Sequence, residues 1–136
     1  MGIILDASIT LSWCFHDEQT PLTSKILEQL QTKTAFVPNI WPLEIGNILI
    51  LATRHKRIHY ADAIQFIELL NKLNIEVDNE TTYKAFQEIL ALAHSEKLTT
   101  YDAAYIELAM RKGAPLASKD RELCKVAERL GIQIYS

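Results

Sequence analysis

Short apolar runs alternate with longer amphipathic stretches along the whole chain. Gly2–Leu5 is a continuous apolar run that stops at Asp6, the pattern of a parallel strand buried on both faces. Comparable runs at Ala35–Val37, Ile75–Val77, Ala114–Ala117 and Ile132–Tyr135 predict further strands, with Pro115 near the start of its run. Between them the apolar positions fall at helical spacing. Asp6-Ala7-Ser8 caps a first helix reaching about Phe15, and the polar stretch 16–21 leads on from it. Thr20 followed by Pro21 is the N-cap and first position of a second helix, to about Leu30, with Ile26, Leu27 and Leu30 on one face.

More helices are predicted over Trp41–Lys56, Tyr60–Leu73, Asn79–Lys97, Tyr101–Lys112 and Asp120–Leu130. Thr99 or Thr100 caps the fourth of these, and Gly113 and Gly131 stop the last two. The helix from Trp41 is apolar nearly all round, which predicts burial on more than one side, in the core or against a partner subunit. No two strand runs are joined by a tight turn. The pattern is α/β, a parallel sheet covered on both faces by helices.

Composition bounds the function. The 136 residues suit one domain, 1–136, and 49% hydrophobic content is enough for a core without disulfides. Cys14 and Cys124 lie far apart and neither has partners at metal-ligand spacing, so both read as thiols of a reducing cytosol. The start lacks the basic segment and long apolar run of a signal peptide, and the apolar run 45–52 is too short to span a membrane. A cytoplasmic protein with no membrane partner is expected. The net charge of −3 gives no basic surplus for a nucleic acid, so a polyanion site must be local or must recruit cations.

In open parallel sheets, sites form where the carboxyl ends of the strands meet the connecting loops. Asp6 ends the first strand, Glu44 opens the helix after the second, and Asp120 follows the fourth. Asp102 opens the helix leading into that fourth strand. Singly, Asp6 and Asp120 are ordinary N-caps, and Glu44 and Asp102 complement a helix dipole. Gathered at one edge they repel, by roughly 3 kcal/mol for a pair about 5 Å apart at an effective dielectric of 20. Such crowding is useful only with a cation present. Oxygen donors without histidine or cysteine select a hard divalent ion, Mg²⁺ or Mn²⁺, which links carboxylates to phosphate.

Four stretches carry a resemblance to a known family: Ile4-Leu5-Asp6-Ala7-Ser8, Pro42-Leu43-Glu44-Ile45-Gly46-Asn47, Tyr101-Asp102-Ala103-Ala104-Tyr105 and Leu116-Ala117-Ser118-Lys119-Asp120. In order, spacing and flanking residues the chain resembles the PIN-domain family, and within it the VapC toxins of type II toxin–antitoxin pairs. The resemblance implies a three-layer α/β/α fold with a short central parallel sheet. It further implies Mg²⁺-dependent endoribonuclease activity on RNA, homodimerisation, and inhibition by a small antitoxin protein. It places Asp6, Asp102 and Asp120 as metal ligands, Glu44 as a fourth catalytic carboxylate, and Ser8 and Ser118 in support.

Other residues carry weaker signals. Lys119 and Arg121 flank Asp120 and are candidate RNA contacts. So is Arg54, in the basic stretch Arg54-His55-Lys56-Arg57, which reads equally as a solvated loop. No histidine has a triad-like arrangement, and Trp13 and Trp41 read as core or interface. A receiver-like or phosphatase-like domain would want a second acid beside Asp6, where Ala7-Ser8 stands. A PIN-fold processing nuclease outside toxin systems and a non-catalytic RNA- or protein-binding module are the remaining alternatives.

Overall fold

Ile3, Ile4 and Leu5 are each at most 1% exposed. Neighbouring side chains of a strand point to opposite faces, so a strand with none exposed is covered on both. The computed structural model, which describes residues 2–135, shows the cover. Strand β1 (Gly2–Leu5) lies between β2 (Thr34–Pro38) and β4 (Leu116–Ala117), and β3 (Ile75–Asp78) pairs with the far side of β2. All pairings are parallel. Among the described residues eight α-helical segments flank the sheet: α1 (Ala7–Ser12), α2 (Pro21–Gln29), α3 (Trp41–Arg54), α4 (Tyr60–Asn71), α5 (Thr81–Lys84), α6 (Leu90–Glu96), α7 (Thr100–Lys112) and α8 (Arg121–Arg129). The expected three-layer α/β/α arrangement is the one observed.

Local chemistry sets the helix ends where the sequence marked them. Thr20 Oγ1 accepts from the Thr23 N–H (3.2 Å) while Thr23 Oγ1 accepts from the Thr20 N–H (2.9 Å), with Pro21 behind the cap. Thr99, not Thr100, caps α7 by accepting the Asp102 N–H (3.1 Å). Gly113 ends α7 at φ +60°, the left-handed conformation glycine adopts without strain. Trp13 and Trp41 are core residues, their indole N–H groups donating to Thr23 O (2.7 Å) and Thr10 Oγ1 (3.2 Å).

Three expectations need revision. Helix α1 stops at Ser12 rather than near Phe15, and a 3₁₀ turn over His16–Glu18 leads to α2. The helix expected over Asn79–Lys97 begins at Thr81 and is interrupted by a π-helical turn, Ala85–Ile89. Buried Thr81 donates to Asp78 Oδ2 (3.0 Å), and buried Ile89 and Ala93 pack with Ala103 and Ala104. In an unbroken α-helix Thr81 and Ile89 would be about 80° out of phase; the wider turn brings them to one face.

The last strand, expected over Ile132–Tyr135, shrinks to one bridge between Ile134 and Leu116. The Leu116 N–H donates to Gln133 O (2.9 Å) and the Tyr135 N–H to Leu116 O (2.9 Å). The ladder cannot lengthen, because the Ala114 N–H is committed to Ala109 O (3.2 Å) at the end of α7 and Ser118 turns away towards Asp6.

Helix α3 buries one stripe, Trp41, Ile45, Leu49 and Ala52. Its other apolar residues stay open, with Leu43 78% and Ile48, Ile50 and Leu51 37–38% exposed. Helix α7 is buried from Ala103 to Ala109, which accounts for its small residues. At its far end Arg111 donates to both oxygens of Asp78 (3.0 and 2.7 Å) and both of Glu107 (2.8 and 3.0 Å), tying β3 to α7.

Candidate active site

The register that pairs Leu5 with Ala117 leaves Asp6 and Ser118 side by side just beyond the carboxyl edge of the sheet. The Asp6 N–H donates to Ala117 O (3.0 Å), fixing that junction. Asp6 is buried, and its Oδ2 accepts from Ser118 Oγ (2.6 Å) and Ser8 Oγ (2.9 Å). Each serine oxygen also accepts a backbone N–H, Ser8 from Lys119 (3.0 Å) and Ser118 from Asp120 (3.0 Å). A hydroxyl has one proton, and these partners leave it directed at Asp6. Asp6 stands at the N-cap position of α1 yet makes no capping bond with its side chain, so helix capping does not explain it. Asp120 does cap, its Oδ1 accepting from the Glu122 and Leu123 N–H groups (3.1 and 3.2 Å).

Glu44 lies in the first turn of α3, and its Oε1 accepts from the Tyr105 hydroxyl at 2.6 Å. Asp102 lies in the first turn of α7, one turn before Tyr105. The four carboxylates feel one another. Burial pushes the Asp6 carboxyl up, the two serine bonds and the Ala7 amide pull it back, and the charge of Asp120 raises it further. Burial raises Glu44, the Tyr105 bond opposes this, and the charges of Asp6 and Asp102 add to it. Asp102 is raised by burial first and then by Asp120 and Asp6. The structure thus brings all four expected acids to one neighbourhood, Asp102 included.

Among the described residues no three histidine, cysteine, aspartate or glutamate side chains are drawn together as a ready cage for a metal ion. Each acid is held by its own partners: Ser8 and Ser118 hold Asp6, Tyr105 holds Glu44, and the amides of α8 hold Asp120. The donor set suits a hard divalent cation: every group is a carboxylate, and Asp6, Glu44 and Asp102 are raised first by burial and then by one another's or Asp120's negative charge.

The cationic candidates separate. Lys119 and Arg121 flank Asp120 at this edge, and Lys119 Nζ donates to Glu18 O (2.9 Å). Arg54 is ten residues beyond Glu44 on α3, about 15 Å along the axis. Its neighbour Arg57 is engaged with Asp17 (2.7 Å) and Glu18 (3.0 Å) and lies 3.8 Å from the Phe15 ring centroid. Tyr105 is the contact that sequence reasoning did not single out. The available signal was its spacing of three from Asp102, which puts both on one helix face.

A short parallel sheet between helices, with four acids converging on its carboxyl edge, is the architecture of an α/β domain with an acidic site. The PIN domain family matches residues 3–129. The chain belongs to the PIN-domain family. Ribonuclease VapC3 of Pyrobaculum aerophilum is 24% identical to it over 125 residues, covering 92% of this chain and 94% of that protein. In fold it is similar to the crystal structure of PAE2754 from the same organism, with a TM-score of 0.68 and 24% identity over 96% of this chain and 90% of that one. It is equally similar to VapBC2 from Rickettsia felis, solved bound to a DNA fragment from its promoter: TM-score 0.68, 13% identity, 99% and 98% covered. No helix among the described residues is long and apolar enough to cross a membrane.

Proposed function

We propose that the chain is a metal-dependent endoribonuclease and the toxin of a toxin–antitoxin pair. The observation that carries this reading is the convergence of Asp6, Glu44, Asp102 and Asp120 on one sheet edge, where burial and mutual repulsion raise three of them. A fold gains no stability from that crowding. A curated relative along nearly the whole chain is named a ribonuclease, which supports RNA as the substrate.

Asp6, Asp102 and Asp120 would hold Mg²⁺ or Mn²⁺, and Glu44 completes the set. When bound, the ion supplies charge to offset the phosphate and acidity to activate water. The protein's own groups do the rest. Ser8 and Ser118 orient Asp6, the α8 amides orient Asp120, and Lys119 and Arg121 at the rim attract the RNA backbone. An antitoxin partner is supported by the likeness to VapBC2. A homodimer is supported by the exposed apolar side of α3, Leu43 through Leu51.

The test is Mg²⁺ or Mn²⁺ titrated into the purified protein and, in parallel, into Asp6→Asn, with total cellular RNA followed on a gel. Discrete metal-dependent fragments from the wild type alone are expected. An Asp6→Asn variant that still cleaves with metal would overturn the assignment.

A further inference from the structure

A phenol in a protein core is costly unless its hydroxyl finds a partner, and phenylalanine would supply the same apolar volume. Tyr105 is 0% exposed, in the middle of buried α7, so its hydroxyl needs a reason. Its proton goes to Glu44 Oε1 at 2.6 Å, a short bond of the kind a charged acceptor makes, across 61 residues of chain. Asp102 lies one turn before Tyr105 on α7. A single hydroxyl therefore joins the segments that carry Glu44 and Asp102.

Glu44 needs such a tether. Its near neighbours Asp6 and Asp102 are like charges, and a glutamate opening an exposed first turn, beside Leu43, can swing into solvent to escape them. We infer that Tyr105 is a positioning residue for Glu44, holding Oε1 so that the carboxylate faces the acid cluster through Oε2 alone. The inference rests on the nuclease reading above and adds to it the geometry in which Glu44 acts. It also separates two roles. A glutamate whose Oε1 already accepts a hydrogen bond presents Oε2 as its open acceptor, suited to orienting one water or ligand more than to closing on an ion with both oxygens.

The experiment is a double-mutant cycle of Tyr105→Phe and Glu44→Ala. Cleavage rates are measured against RNA concentration at saturating Mn²⁺, and Mn²⁺ affinity is measured separately from the spin-resonance signal of the free ion. Tyr105→Phe is expected to lower kcat by about 10- to 100-fold, the range for loss of a partner that orients a site residue. KM and Mn²⁺ affinity should hardly move. The double variant should be no slower than Glu44→Ala. An unchanged kcat, or a double variant slower by the product of the two single losses, overturns the inference. Urea unfolding of the same four proteins in EDTA provides a second readout: coupling between the two positions is expected, and its absence overturns the contact. Were the wild type to show neither cleavage nor Mn²⁺ binding, the nuclease reading would fall, while the unfolding cycle would still decide the tether.

Discussion

Replacing Ser118 with alanine tests whether Asp6 is held ionised in a buried place. The Ser118 hydroxyl donates to Asp6 Oδ2 at 2.6 Å, the shorter of its two serine bonds. A hydrogen bond to a charged group contributes about 1.5–3 kcal/mol, against about 1 kcal/mol for a neutral one. The Asp120 N–H also loses its acceptor but lies where water can replace it, which adds only a few tenths. Ser118→Ala should therefore cost about 2 kcal/mol near neutral pH, with a Tm lower by roughly 6–10 °C. The sign with pH follows from Asp6. Its folded pKa lies above its unfolded value, so its ionised form opposes folding at neutral pH and that penalty fades as pH falls through the folded pKa. The variant loses a bond that pulls the pKa down, so its penalty is larger at neutral pH. Once Asp6 is protonated the lost bond is a neutral one, and the gap to wild type should shrink by about half. Urea unfolding in EDTA at about pH 7.5 and about pH 4, with Ser118→Thr as the hydroxyl-retaining control, measures both gaps. A gap that widens in acid, or Ser118→Ala matching wild type at neutral pH, would refute the reasoning.

Other outcomes follow from the same electrostatics. Asp102, raised by burial and then by Asp120 and Asp6, should be more stable as asparagine in metal-free protein, by about 1 kcal/mol after solvent screening is allowed for. Calorimetry in EDTA checks this, and a lower Tm counts against it. Saturating Mn²⁺, at about a hundred times its Kd, should stabilise the wild type by about 2.7 kcal/mol and leave Asp6→Asn nearly unmoved in a thermal melt. Arg111→Ala strands the buried Asp78 and Glu107 carboxylates and should cost about 3–5 kcal/mol in urea. Arg111 holds the Asp78 carboxyl below its usual range, a contribution present above the unfolded pKa and lost as pH falls through the folded one. The variant's stability should consequently be flatter across that acid window.

Much of this was legible in the residues because it is written locally. Strand β1 shows its burial on both faces as an unbroken apolar run, and Thr20-Pro21 and Gly113 mark helix ends by their own conformational preferences. The acids could be placed at one edge because each adjoins a strand end or helix start, and parallel strands carry all such junctions to the same side. What escaped depends on contacts that the period of a single element does not show. The π turn reconciles Thr81, facing Asp78, with Ile89, facing α7, and neither partner is visible in the local period. Likewise, Tyr105 reads as one more apolar position in a helix until α3 brings Glu44 against it. The residues of α3 leave its cover open between the core and a partner subunit, since an apolar stripe does not say whether that cover lies within the same chain.

The order of the strands bears on when the site can exist. β1 precedes the other three strands, yet it sits between β2 and β4, and the serine that fixes Asp6 lies 112 residues further along the chain. A growing chain can pair β1 with β2 early, but the β4 side stays open until β4 has emerged. Until then Asp6 lacks Ser118, and Asp120 has not been made. Contacts between such distant residues also form late in folding. A truncated product, or a chain paused short of β4, therefore carries no assembled acid cluster.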